Sequence, residues 1–95
     1  MKLLKTLIVE DLKDDAILLL HYLTSMGYQV QSTIVQTSEE MKAELINNNW
    51  DIILSDYELP SFSALDALKV LKNTGLDIPF IIISVQPNLI TMKAF

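Results

Sequence analysis

Cysteine is absent from this chain of 95 residues, and so is arginine, since all 7 of its basic residues are lysine. Without thiols there is no disulfide framework, no thiolate metal site and no cysteine nucleophile. Without guanidinium groups there is no bidentate clamp for a phosphate or carboxylate. Glycine occurs only at Gly27 and Gly75, so neither a Walker-type phosphate loop nor a dinucleotide-binding fingerprint can be written. No apolar run approaches the roughly 20 residues of a membrane helix. The N-terminus reads as a strand and lacks the cleavage pattern of a signal peptide, so a cytoplasmic protein without membrane contact is expected. Linkers, low-complexity segments and repeats are missing too, and residues 1–95 are expected to form a single domain.

What is present is an acidic, apolar-rich chain. Asp and Glu number 12, for a net charge of -5, which argues against non-specific nucleic-acid binding by this segment. A hydrophobic fraction of 51% and a mean hydropathy of +0.34 imply a packed core.

The apolar pattern alternates between two periods. Leu3 to Val9 is a β-prone run closing on Glu10-Asp11. Asp14 to Met26 is helical, with Ile17, Leu20, Leu23 and Thr24 or Met26 on one side, Asp14 or Asp15 as cap and Gly27 as stop. Tyr28 to Val35 alternates as a half-exposed strand does. A second helix opens at Ser38 with Thr37 or Ser38 as cap, carries Met41, Leu45 and Ile46 as its stripe, and ends in Asn47-Asn48-Asn49. The run from Asp51 is short, almost wholly apolar, and ends on Asp56 before Pro60, as a central parallel strand would. Ala64, Leu65, Leu68 and Leu71 mark a third helix stopping near Gly75, and Phe80 to Val85 a fourth strand. A fourth helix is expected from Asn88 to the end. Alternating strands and helices predict a three-layer α/β/α, flavodoxin-like, doubly wound parallel sheet of about four strands in the order 2-1-3-4.

Such sheets bind ligands beyond the carboxyl ends of their strands. The first strand brings Glu10 and Asp11 there, the third Asp56 and the fourth Ser84. Three carboxylates in one crevice repel each other, and a hard divalent ion such as Mg²⁺, with its preference for oxygen ligands, resolves the conflict. A carboxylate beside Mg²⁺ can act as nucleophile toward a phosphoryl group, and Ser84 can donate a hydrogen bond to a phosphoryl oxygen. Taken singly, each acid is equally an ordinary strand-end turn residue.

Leu7-Ile8-Val9-Glu10-Asp11, Asp51-Ile52-Ile53-Leu54-Ser55-Asp56-Tyr57-Glu58-Leu59-Pro60 and Ile81-Ile82-Ile83-Ser84 together resemble the receiver domain of two-component response regulators. The likeness runs in order from about residue 3 to residue 85. It implies that Asp56 is the phosphoacceptor, that Glu10 and Asp11 organise Mg²⁺ with Asp11 the direct ligand, and that the backbone carbonyl of Glu58 is a further ligand. Ser84 takes the position of the family's switch Ser/Thr. The implied phosphodonor is a sensor histidine kinase or a histidine phosphotransfer protein. No enzyme is implied beyond self-catalysed aspartyl phosphorylation.

The chain also departs from that pattern. Ser61 and Ala64 stand where receivers carry glycines, and Val85-Gln86-Pro87-Asn88 replaces a small-residue loop. Thr91-Met92-Lys93-Ala94-Phe95 looks like the end of a fourth helix. The family's fifth strand with its phosphate-binding lysine, its switch aromatic and its fifth helix are absent from the pattern, which makes this a partial receiver. Lys93 is the single nearby cation, and a solvated surface lysine is its ordinary reading. An apolar fourth strand left as an open edge would pair with another chain, so a dimer or a strand-exchanged oligomer is expected. The competing readings are a degenerate receiver serving only as a protein-interaction or dimerisation module, and a flavodoxin-like small-ligand binder. His21, Trp50, Met26, Met41 and Met92 read as structural residues, Trp50 and the methionines as packing ones.

Overall fold

The computed structural model of the chain describes residues 3–10, 13–57, 63–86 and 89–95. Its elements are β1 (Leu3–Val9), α1 (Lys13–Ser25), β2 (Gln29–Val35), α2 (Ser38–Asn47), β3 (Ile52–Asp56), α3 (Ala64–Thr74), β4 (Phe80–Gln86) and β5 (Leu89–Ala94). The sheet has 5 strands in the order β2-β1-β3-β4-β5. The first four are parallel neighbours, and β5 returns antiparallel along β4.

The α/β flavodoxin-like class and the strand order 2-1-3-4 are therefore as the sequence predicts. β1 and β3 lie inside the sheet, and this explains their near-continuous apolar runs, because both faces of each must be covered. Alternate residues along each strand face opposite layers. Leu7, Val9, Ile53, Phe80 and Ile82 pack with Met41, Leu45, Ala64, Ala67 and Leu71 of α2 and α3. Ile8, Leu54 and Ile83 pack on the other face with Ala16 and Leu19 of α1.

Local chemistry sets the helix boundaries. The Thr37 hydroxyl accepts from the Glu40 N–H at 3.1 Å and so caps α2. Ser63 and Asp66 form a reciprocal capping box on α3, whose far end is closed by Gly75 at φ 76°. Gly27, at φ 95°, turns the chain out of α1, with its N–H donating to the Thr24 carbonyl at 3.0 Å. Trp50 packs against the core beside α2, and its Nε1–H donates to the Glu44 carbonyl at 3.0 Å.

Several expectations are corrected. Residues 89–94 form a strand rather than the expected fourth helix. Leu89-Ile90-Thr91-Met92 is as strand-prone as it is helical, and a helix this short is marginal in isolation. Pairing with the open side of β4, from Gln86↔Leu89 to Ile81↔Ala94, decides between them. As a result β4 is not an edge, and the open edge belongs to β5. On α1 the sheet-facing residues are Ala16, Leu19, Leu20 and Leu23, while Ile17 is 44% exposed. Ile46 of α2 and Leu65 of α3 also point away from the core, and of the three methionines read as gap fillers only Met41 is buried. Asp14 and Asp15 lie in the first turn of α1, one and two residues past its start, and so are not its cap. His21 is exposed on α1. None of the helices among the described residues is long and apolar enough to cross a membrane.

Candidate functional site

The carboxyl rim of the sheet is set by strand register. Val9 of β1 pairs with Ser55 of β3, so Glu10 and Asp56, one residue further on, come level on neighbouring strands. Asp56 pairs in turn with Ile83 of β4, placing Ser84 one residue beyond that row. Two backbone bonds carry the pairing over the strand ends. The Glu10 N–H donates to the Val35 carbonyl at 3.0 Å, and the Tyr57 N–H donates to the Ile83 carbonyl at 2.9 Å. Glu10, Asp56 and Ser84, which are 46 and 28 residues apart in the chain, are thus gathered on one rim by three parallel strands.

Their environments differ. Glu10 is 1% exposed, Asp56 and Ser84 are half-buried, and both acids engage neighbouring groups. Acids are almost never buried to this degree without partners. A cation is one means of stabilising them, and the two acids offer oxygen donors of the hard type that Mg²⁺ selects. Asp11 and Glu58, the other expected ligands, lie outside the described residues. Among the described residues no group of three or more His, Cys, Asp or Glu side chains is placed to hold a metal ion.

Behind Ser84 is an apolar hollow of about 240 Å³ lined by Tyr57, Leu65, Ile82 and the β5 residues Met92, Lys93 and Phe95. Lys93 pairs across the ladder with Ile82, two residues before Ser84, and its Nζ lies 5.5 Å from the centre of the Phe95 ring. The sequence pattern offers Lys93 as the nearby cation but does not place Phe95, and the position of both follows from the antiparallel return of β5. The signal available was the run Leu89 to Met92, which can be read as a strand as well as a helix turn.

The Ser63–Asp66 box fixes the start of α3 on the same side of the sheet as the hollow. The Asp66 carboxyl is held below its ordinary value of 3.8, chiefly because it accepts a hydrogen bond from the Ser63 N–H, with the Ser63 hydroxyl and Lys69 adding to the effect.

Fold and rim together define a receiver-type α/β domain with a carboxylate pair at the ends of its first and third strands. Comparison with known proteins agrees. The family model for the response regulator receiver domain matches residues 6–95, and the chain belongs to that family. The response regulator SaeR of Staphylococcus epidermidis is 35% identical over 80 residues, covering 84% of this chain and 34% of SaeR. SaeR of Staphylococcus aureus is 34% identical over the same shares. The chain thus spans about a third of the length of these curated relatives. Among solved structures, the MaeR response regulator bound to beryllium trifluoride superposes with a TM-score of 0.74 at 24% identity, over 88% of this chain and 69% of MaeR. The anti-anti-sigma factor PhyR of Bartonella quintana, solved in complex with the anti-sigma factor NepR, gives 0.73 at 26% identity, over 92% of this chain and 40% of PhyR.

Proposed function

We propose that the chain is the receiver module of a two-component phosphorelay and accepts a phosphoryl group on Asp56. The observation that carries this reading is the level placement of Glu10 and Asp56, with Ser84 beside them, on three adjacent strand ends of a receiver-family domain. One Asp56 carboxylate oxygen attacks the phosphorus of a phosphohistidine in a sensor kinase or histidine phosphotransfer protein. The phosphorus–nitrogen bond breaks, the imidazole takes a proton, and an acyl phosphate remains on Asp56. Glu10 and Asp11, with Asp56 and the Glu58 backbone carbonyl, would hold Mg²⁺, which offsets charge on the phosphoryl oxygens when bound. Ser84 donates a hydrogen bond to one of those oxygens. The chain performs no turnover on a separate substrate, and its output is altered affinity for a protein partner.

A second reading, a receiver that associates without accepting phosphate, is favoured by one feature. Lys93, the cation nearest Ser84 along the β4–β5 ladder, leans over Phe95 and comes from an antiparallel strand. Intact-mass measurement after incubation with acetyl phosphate and Mg²⁺ separates the two. The phosphoacceptor reading requires a gain of one phosphoryl group that Asp56→Ala abolishes. A mass that stays unchanged, or a gain that survives Asp56→Ala, overturns it in favour of association alone.

A further inference from the structure

We infer that the outer edge of β2 pairs, antiparallel and in one register, with the same edge of a second copy of this chain. β2 is an outermost strand of the sheet, and among the described residues no strand pairs with its far side. One bond tells which of its groups face outward. The Glu10 N–H donates to the Val35 carbonyl, so the backbone groups of Val35, and of every second residue before it, point inward to β1. Those of Val30, Ser32 and Ile34 point the other way, and each of these residues offers one N–H and one carbonyl outward. Sheet edges are ordinarily blunted by a charge, a proline or a very short strand. β2 is 7 residues long, and Gln29-Val30-Gln31-Ser32-Thr33-Ile34-Val35 holds neither a charge nor a proline.

The order of residues in the strand selects its own copy as the occupant. A two-fold axis through Ser32 sets Val30 opposite Ile34, Ser32 opposite Ser32 and Gln31 opposite Thr33. Val30, Ser32 and Ile34 are the outward-bonding residues, so each of their N–H groups meets a carbonyl of the partner strand and each carbonyl an N–H. The side chains match as well. Ile34 packs on the α1 face and Val35 on the α2 face, so by alternation Val30 and Ser32 share the face of Ile34. Cross-strand pairs on that face are then β-branched against β-branched and hydroxyl against hydroxyl, which are pairs that stabilise sheets. Moving the axis to Gln31 or Thr33 sets Ser32 against Val30 or Ile34, a hydroxyl against an apolar group, so the pattern fixes the register at Ser32. Such a contact is isologous and closes at two copies. An edge of 7 residues is about 24 Å long and one backbone deep. That falls short of the roughly 1,000 Å² that stable interfaces clear, so the dimer is weak and exchanges readily.

This inference rests on strand register and not on phosphate chemistry. It is tested on the 95-residue chain without phosphodonor or Mg²⁺, so that failure of the Asp56 reading leaves it untouched. In NMR spectra recorded from micromolar to millimolar protein, the amide protons of Val30, Ser32 and Ile34 should shift and exchange more slowly as concentration rises. Those of Gln31 and Thr33, already turned to β1, should change less. Ser32→Lys and Ser32→Glu each set like charges across the two-fold axis and should each weaken the dimer about threefold to fivefold. An equal mixture of the two variants should restore it, because opposite charges then face each other. Circular dichroism checks that each variant folds. Should either fail that check, the amide pattern of the unaltered chain carries the test. Amide shifts that do not depend on concentration overturn self-pairing and leave the edge to an extended segment of a different chain. A concentration dependence without the alternation, or variants that the mixture does not rescue, overturns the pairing at Ser32.

Discussion

Replacing Asp56 by asparagine should stabilise the metal-free domain. Glu10 and Asp56 are level on β1 and β3 because Val9 pairs with Ser55. Neighbouring strands run about 4.8 Å apart. Two carboxylates roughly 5–6 Å apart repel by about 3 kcal/mol at an effective dielectric of ~20. Glu10 is nearly sealed from water, but Asp56 is half-exposed, and solvent screening lowers the repulsion to about 1 kcal/mol. The isosteric Asp56→Asn removes that repulsion without opening a cavity. For a domain of this size the gain amounts to about 4–8 °C in melting temperature. Thermal unfolding in EDTA is the assay. Millimolar Mg²⁺ should then raise the wild type by binding the folded state, and should raise Asp56→Asn less, so the order narrows or inverts. An Asp56→Asn protein no more stable than wild type in EDTA would refute the claim that these two charges repel. An equal response of both proteins to Mg²⁺ would refute the claim that Asp56 helps hold the ion.

Three further predictions concern the scaffold. Ser63→Ala removes the hydroxyl that caps α3 and should cost about 1 kcal/mol in urea unfolding at neutral pH; no loss would mean that the box is not formed in solution. Asp66 has a folded pKa below its unfolded value of 3.8, so its contribution is fully present above that value and is lost as pH falls through the lower folded one. The stability difference between wild type and Asp66→Asn should therefore be constant near neutrality and shrink only below pH 3.8. Phe80→Ala truncates the largest fully buried side chain among the described residues and should cost about 3–5 kcal/mol by chemical denaturation. A much smaller loss would show that the layer between the sheet and α3 collapses around the cavity.

The parts of this molecule legible in its sequence are those decided locally. β1, β3 and β4 are short apolar runs with acids at, or Ser near, their carboxyl ends, as strands covered on both faces are. Glu10, Asp56 and Ser84 could be put on one rim because parallel strands bring successive carboxyl ends together, whatever the loops do. The helical stripes were legible only to within about one residue, since Ile17, Ile46 and Leu65 satisfy a 3.6-residue period nearly as well as the residues that are buried. The tail was illegible for a different reason. Nothing inside Leu89 to Ala94 chooses between helix and strand, and the choice is made by the free hydrogen-bonding edge of β4, a partner that a local window does not contain. With the tail expected to be helical, Lys93 is legible only as a nearby cation, because its placing and that of Phe95 beside Ser84 depend on the direction in which β5 runs.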